Sequence, residues 1–157
     1  MPDIMHLLAV KAPADKVYDA ITTPDGVRNW WTRTADLATK VGGTGAFRFP
    51  HYGPSSETQV RIDDLQRPAR VAWSVLSSFH PEWRDTTIAF DMAENGDATR
   101  IAFAHRGFKE ANEAYALFTT GWAYYLVSLK RYVEIGEGGP NPDVDFIRIF
   151  ENTRSMA

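Results

Sequence analysis

Hydrophobic and polar positions follow two different periods along the chain, and the first elements are already visible near its start. Residues 6–11 alternate and predict a short strand. Pro13 then suits the first turn of a helix, where its missing N–H has no cost. Thr23 can cap a second short helix with Pro24 in its first turn. The pattern therefore predicts one strand followed by two short helices, the second ending near Thr32.

From Gly42 onward the apolar positions recur at every second residue. Each alternating set places its members on one face of a strand. The sets are Phe47, Phe49 and His51; Thr58, Val60 and Ile62; Val71, Trp73 and Val75; Ile88, Phe90 and Met92; and Ile101, Phe103 and His105. Asn95-Gly96-Asp97 is typical of a hairpin turn. This region therefore predicts an antiparallel meander of about five strands with one apolar face.

The period changes to 3.6 from about Glu110. The apolar residues three or four apart are Ala114, Phe118, Trp122, Leu126, Leu129 and Val133. They predict one long amphipathic helix, which Gly136 ends. Because strands twist, a sheet of this size curves. We therefore predict an α+β domain in which a curved antiparallel sheet of about six strands wraps around the long helix.

The predicted domain spans residues 1–136, and residues 137–157 form a C-terminal tail. Residues 144–150 of that tail predict one more strand, with apolar residues on both of its faces. An exposed strand of this kind invites pairing with another strand. Two outcomes stay open, namely packing on the edge of its own sheet or addition to a second subunit in a homodimer.

Composition narrows the function classes. The 157 residues carry a net charge of −3 and contain no cysteine, which excludes disulfide scaffolds, thiol nucleophiles and cysteine metal sites. The slight acidity offers no footprint for nucleic acid. We see no secretory signal and no apolar run long enough for a membrane span, so a cytoplasmic location is expected. Aromatic residues make up 13% of the chain, which indicates a large core, a lined pocket or an adhesive surface.

Several segments, in this order along the chain, resemble a known family. They are PADKVYDAITTP (13–24), NWWT (29–32), VGG (41–43), FRF (47–49), ID (62–63), PARVAW (68–73), ATRI (98–101), Phe103, His105, GF (107–108), GW (121–122), Leu126, Leu129 and Tyr132. The chain resembles the START-like, or SRPBCC, helix-grip superfamily that includes the birch-pollen allergen. Within it, the chain is most similar to the branch named after the C-terminal domain of the activator of heat-shock protein 90 ATPase. The resemblance covers roughly residues 5–136.

The resemblance implies a helix-grip fold with a cavity between the sheet and the long helix. In the superfamily this cavity serves hydrophobic or amphipathic small molecules, and relatives include lipid carriers, hormone receptors and polyketide cyclases. Fold analogy alone leaves the activity open. The eukaryotic chaperone activator also carries a separate N-terminal domain, for which this chain has no room.

The aromatic residues are candidates for lining such a cavity, although each of them can equally be a core residue. The candidate ligand-binding rings are Trp30, Phe47, Phe49, Trp73, Phe79, Trp83, Phe90, Phe103, Phe118 and Trp122. Residues 79–85 join two predicted strands. They form either a loop folded back onto the core or a lid on which Glu82 or Asp85 touches a polar group of a ligand.

By their alternation, His51 and His105 lie on the apolar faces of their predicted strands. Each lies at the end of its strand, where a pocket would open. Each is either a half-buried histidine paired with a backbone group, or a polar contact or general acid–base. Both are therefore candidate ligand contacts and candidate catalytic groups, and no catalytic residue is assigned. The four histidines lie far apart without the i,i+4 spacing of a helical metal site. We predict no metal and no cofactor.

Three functions are therefore carried forward. The first is binding of a hydrophobic, lipid-like or polyketide-like small molecule in the cavity. The second is a cyclase- or hydratase-like enzyme that uses a histidine as acid or base. The third is a module that interacts with a chaperone or another protein, which would place its functional residues on the outside of the fold.

Overall fold

The computed structural model describes residues 1–144. The strands are β1 (Ile4–Val10), β2 (Thr34–Leu37), β3 (Thr44–Arg48), β4 (Glu57–Gln66), β5 (Arg70–Ser78), β6 (Thr87–Asn95) and β7 (Ala98–Arg106). The helices are α1 (Ala14–Thr22), α2 (Pro24–Trp30) and α3 (Glu113–Ile135), with short 3-10 turns at Pro50–Tyr52 and Pro81–Trp83. Apart from Val144, the predicted tail strand lies outside the described residues.

The strands form one antiparallel sheet in the order β1-β7-β6-β5-β4-β3-β2. The predicted α+β helix-grip architecture is confirmed, with seven strands where about six were expected. The additional strand is β2, which has four residues and pairs Ala35 with Phe47 of β3. The register of β4 against β5 shifts at two places, which bends the sheet around the interior.

The long helix α3 lies against the apolar face of the sheet. Asn112 caps its first turn by accepting a hydrogen bond from the backbone N–H of Tyr115 at 2.9 Å. Gly136 ends it in the left-handed conformation with φ 77°, which a residue without Cβ adopts freely. Its buried face carries Phe118, Trp122, Tyr125, Leu126, Ser128, Leu129 and Val133. The helical spacing read from the sequence therefore marks the face that packs on the sheet.

The helices α1 and α2 close one end of the interior. The hydroxyl of Thr23 accepts a hydrogen bond from the backbone N–H of Gly26 at 3.0 Å, and Pro24 occupies the first turn, as predicted. Trp30, at the end of α2, is completely buried. Its indole N–H donates to the carbonyl of Ala20 at 2.8 Å, and its carbonyl accepts from the Ser128 hydroxyl at 2.7 Å. This end of the interior is therefore filled and hydrogen-bonded.

The predicted position of His51 on the apolar face of a strand is wrong. β3 ends at Arg48, and Pro50 begins the 3-10 turn. Proline has no N–H to donate to a sheet ladder, so the alternation does not continue through it. His51 is consequently exposed, with its ring 5.4 Å from that of Tyr52.

Candidate functional site

A narrow apolar cleft lies between the first half of α3 and the sheet. Its walls come from α3, from the residue after α2, from the β3–β4 side of the sheet and from the segment that joins β5 to β6. The cleft has a volume of about 60 Å³. Ligand pockets are commonly ~300–1,000 Å³, so this one admits only a few water-sized groups as it stands.

Part of the predicted aromatic set borders this cleft. The predicted residues that line it are Phe49, Phe79, Trp83, Phe118 and Trp122. The other lining residues are Trp31, Thr58, His80, Leu117, Gly121 and Tyr125. Leu117, Gly121 and Tyr125 are spaced four apart on α3, and Thr58 shares the parity of Val60. Helical spacing therefore points to Leu117, Gly121 and Tyr125, and strand parity points to Thr58.

The other predicted rings do not line the cleft. Trp30, Phe47, Trp73, Phe90 and Phe103 are almost entirely buried in the core. Phe90 lies with its ring centre 5.5 Å from that of Trp73 and 5.2 Å from that of Phe103. Phe47, Trp73 and Phe103 form the floor of the cleft through contacts with Trp31 and Trp122, whereas Phe90 packs against that floor and Trp30 fills the end closed by α1 and α2. A role for any of these rings in ligand contact stays a prediction.

Trp31 links the cleft to that floor. Its ring centre lies 4.3 Å from Phe47, 5.1 Å from Trp122 and 6.3 Å from Trp73, the last with parallel planes. Phe103 in turn lies 4.5 Å from Trp122. Ring centres at these separations are in packing contact. The interior is therefore narrow because aromatic side chains already fill most of it.

The segment of residues 79–86 forms one wall of the cleft. Its Trp83 is 7% exposed and packs parallel to Trp122, with ring centres 5.8 Å apart and planes 16° apart. Phe79 lies 5.7 Å from Phe49 across the cleft. The rings of the segment thus fold back onto the core and also border the cleft, while a role of the segment as a lid stays a prediction. Asp85, which is exposed, has φ 62°, a left-handed conformation that is uncommon outside glycine and that Asn and Asp adopt more readily than other residues with a Cβ.

His105 is completely buried behind this wall and is held at both ring nitrogens. The indole N–H of Trp122 donates to Nδ1 at 3.0 Å. The remaining proton of the neutral ring therefore lies on Nε2, which donates to the hydroxyl of Thr86 at 2.8 Å. That hydroxyl donates to the carbonyl of Trp83. This chain of hydrogen bonds ties the wall segment to β7 and α3.

Burial lowers the pKa of His105 to about 3, and the nearby His80 contributes to the shift. The imidazole is therefore neutral at ordinary pH. A general acid or base needs a ring nitrogen within reach of substrate. Both nitrogens of His105 are engaged within the protein, so this geometry supports a positioning role for the ring.

His80 lies in the cleft wall itself. Its ring centre is 4.0 Å from Phe79, 4.8 Å from Phe118 and 5.4 Å from Trp83. Burial lowers its pKa to about 4, so the ring is neutral at ordinary pH. A neutral imidazole offers one hydrogen-bond donor and one acceptor. His80 is consequently a polar but uncharged group at the cleft.

Trp83 also carries a polar atom whose hydrogen bonding is incomplete. Its indole nitrogen Nε1 is buried and has no hydrogen-bond partner among residues 1–144. A buried donor without a partner costs about 1–3 kcal/mol of stability, and buried tryptophans usually avoid that cost. This buried donor is carried by a side chain that lines the cleft.

A second, polar pocket lies on the other side of the same segment. Its volume is about 490 Å³, and the charged residues that line it are Glu82, Arg84, Asp85, Lys109 and Glu110. Glu82 and Asp85 are thus placed at this pocket and do not line the apolar cleft. The segment therefore separates an apolar space from a charged one, and contact of either carboxylate with a ligand stays a prediction.

Residues 1–144 contain no group of three or more His, Asp or Glu side chains placed to hold a metal ion. Over the same residues, none of the helices has both the length and the apolar character that crossing a membrane requires.

A family model and a solved structure assign the chain to the same family. The model of the family described as "Activator of Hsp90 ATPase homolog 1-like protein" matches residues 11–134. The Aha1 dimer from Colwellia psychrerythraea, solved in solution, is 32% identical with a TM-score of 0.78, covering 88% of this chain and 100% of that one. A search of curated proteins gave no match.

More distant structures share the fold. Protein SSP2350 from Staphylococcus saprophyticus is 21% identical with a TM-score of 0.72, covering 87% of this chain and 95% of that one. DynU16, described as a putative protein in the dynemicin biosynthetic locus, is 21% identical with a TM-score of 0.70, covering 87% of this chain and 48% of that one. At these identities the likeness concerns the fold alone.

Proposed function

The chain belongs to the family of Activator of Hsp90 ATPase homolog 1-like proteins, within the START-like superfamily, and we propose from this and from the cleft that it binds a small hydrophobic or amphipathic molecule between α3 and the sheet. The observation that carries the proposal is an uncharged cleft walled by aromatic rings at a place where the interior reaches the surface segment of residues 79–86. Burial of apolar ligand surface supplies the driving force, roughly 25 cal/mol per Å² before ordering costs.

The volume of the cleft sets a condition on this proposal. A ligand larger than a few atoms needs more than the present 60 Å³, so binding must widen the cleft. Residues 79–82 of the wall are the part best placed to move, because they lie outside the sheet, whereas Trp83 and Thr86 are tied to His105 by hydrogen bonds. We therefore expect ligand binding to change the environment of Trp83 more than that of Trp30.

Native mass spectrometry with a panel of fatty acids and aromatic polyketide-like compounds tests the proposal. Gly121 lines the cleft from α3, so Gly121→Leu places a side chain in the ligand's space. The matched control is Ala123→Leu, which adds the same side chain to an exposed position of the same helix. We expect binding to the wild type and the control, and its loss in Gly121→Leu. Gly121→Ala provides a milder change if the larger one impairs folding.

Two results would contradict the proposal. One is that the wild-type chain retains no member of the panel. The other is that Gly121→Leu and Gly121→Ala bind as well as Ala123→Leu, which would place the ligand elsewhere. Circular dichroism spectra of all variants show whether any loss of binding reflects loss of the fold.

The enzyme alternative draws little support from its two candidate histidines. His105 is enclosed and bonded at both nitrogens, and His51 is exposed outside the cleft lining. The interaction alternative, with a chaperone or another protein as partner, rests on family membership. Both stay predictions.

We also propose that the chain self-associates through the region after residue 143. The support is the apolar pattern of residues 144–150 and the description of the Colwellia relative as a dimer. Sedimentation of the full chain and of a chain ending at Asp143 tests this. Asn141 must be kept, since it is buried and its backbone pairs with Trp31 and Arg33. A monomer in both cases would contradict the proposal.

A further inference from the structure

We propose that the indole N–H of Trp83 is the polar anchor of the cleft, and that the cleft selects uncharged apolar molecules bearing a hydrogen-bond acceptor such as a ketone or ester carbonyl. This inference rests on the proposed function, because it names the ligand chemistry of the same cleft. Trp83 lines the cleft, is 7% exposed and has no partner for Nε1 among residues 1–144. Buried donors without a partner are rare in folded proteins.

The anchor is held in place before any ligand arrives. The Trp83 ring packs parallel to Trp122 and meets the rings of Phe118 and His105 edge-on, at 5.6 Å and 4.6 Å between centres. The backbone carbonyl of Trp83 accepts a hydrogen bond from Thr86, which His105 holds in turn. A donor fixed in this way loses little freedom when it binds an acceptor, which favours affinity.

The surroundings of the anchor disfavour charged ligands. None of the residues lining the cleft is an Asp, Glu, Lys or Arg within the described part of the chain. His80, the titratable imidazole of the wall, is neutral because burial lowers its pKa to about 4. A carboxylate or ammonium group entering the cleft would lose water without gaining an opposite charge. A carbonyl oxygen accepts from an N–H without that penalty.

Two small probes with the same number of heavy atoms isolate this hydrogen bond. Acetophenone and isopropylbenzene differ in that a carbonyl oxygen replaces a methyl group. The full-length chain, labelled with ¹⁵N, has five tryptophan indole N–H groups. We expect acetophenone to move the Trp83 indole signal downfield as the hydrogen bond forms, and isopropylbenzene to give no such shift. Sequential assignment of the wild-type spectrum makes this readout independent of any variant.

The variant Trp83→Phe removes the N–H and keeps an aromatic ring. We expect the affinity for acetophenone to fall roughly 3- to 10-fold, as for loss of one hydrogen bond, and the affinity for isopropylbenzene to change less than about twofold. The matched control is Trp30→Phe, since Trp30 lies outside the cleft lining and its N–H is already bonded to Ala20. The control should keep the preference of the wild type.

The outcomes separate this inference from the proposed function. If both probes bind and Trp83→Phe weakens them equally, the cleft binds ligands but Trp83 is not the anchor. If neither probe binds while a charged lipid of the panel does, the anchor is again wrong and the proposed function stands. If no probe and no panel member binds the wild type, the proposed function itself fails.

Discussion

The two ends of the space between α3 and the sheet are built differently, although both are lined with tryptophan. At one end Trp30 is fully buried, and its N–H and carbonyl are bonded to Ala20 and Ser128. At the other end Trp83 is nearly as buried, but its N–H has no partner among residues 1–144 and a cleft lies beside it. The comparison shows that aromatic content alone does not indicate a binding site. Packing and hydrogen bonding around each ring distinguish core from cleft.

The largest contrast is expected when one ring is removed from each end. Phe90→Ala removes a fully buried ring from the core, and we expect the free energy of unfolding to fall by about 3–5 kcal/mol. Phe79→Ala removes a half-buried ring beside an existing space, and we expect a loss of about 1–2 kcal/mol. Urea unfolding followed by circular dichroism measures both. Equal losses would show that the two ends do not differ in packing.

The next effect concerns the hydrogen bonds that hold the wall of the cleft. His105→Gln disturbs the pairing of the Trp122 indole N–H and the Thr86 hydroxyl, both of which are buried. We expect the free energy of unfolding at pH 7 to fall by about 1–3 kcal/mol. Urea unfolding again measures the loss, and His51→Gln at an exposed position is the control. A loss no larger than that of the control would contradict the structural role of His105.

The same variant tests the pH dependence of stability. Burial lowers the folded-state pKa of His105 to about 3 and that of His80 to about 4, below the ordinary value of 6.5. Between those values the unfolded chain binds more protons than the folded chain, so stability falls as the pH falls below about 6.5. At pH 5 the loss is about 2 kcal/mol for each histidine. The gap between wild type and His105→Gln should therefore narrow by about that amount from pH 7 to pH 5.

A smaller difference in stability is expected between Trp30→Phe and Trp83→Phe, which remove the same volume. Trp30→Phe loses a hydrogen bond to Ala20, whereas Trp83→Phe loses a donor that has no partner in the described structure. We expect Trp30→Phe to lower the free energy of unfolding by about 1 kcal/mol more than Trp83→Phe does. Thermal and urea unfolding of the two variants together provide the check. A larger loss of stability in Trp83→Phe than in Trp30→Phe would mean that the Trp83 indole N–H does have a hydrogen-bond partner.

The smallest effect is expected at Asp85, where the wall segment turns through a left-handed conformation. Asp85→Gly removes the steric cost of that conformation, and we expect a gain of at most about 1 kcal/mol in unfolding free energy. Asp85→Ala removes the same charge but keeps a Cβ, so it should show no gain. A gain of equal size in both variants would assign the effect to charge instead of backbone strain.

Much of the fold could be predicted from the sequence, because alternation and helical spacing are local properties. Ile101, Phe103 and His105 share a buried face as their parity requires. The prediction for His51 was wrong because Pro50 interrupted a pattern that otherwise looked continuous. The short strand β2 was not predicted, since its four residues contain only one full alternation.

The division of the rings between core and cleft could not be predicted in the same way. Phe47 and Phe49 have the same parity, yet Phe47 packs 4.3 Å from Trp31 while Phe49 borders the cleft. The pairing of His105 was equally hidden. Its partners Thr86 and Trp122 come from the segment before β6 and from α3, and sequence spacing does not report how such elements meet.

The α+β architecture, the apolar faces and the family membership of the chain follow from its residue order. Those properties depend on residue order within each element, and the order is visible without coordinates. Which aromatic rings fill the interior, which border the cleft, and which buried polar atoms are paired depends instead on how the folded elements meet. These outcomes depend on distances between elements far apart in the chain, where a shift of a few tenths of an ångström separates close packing from a void.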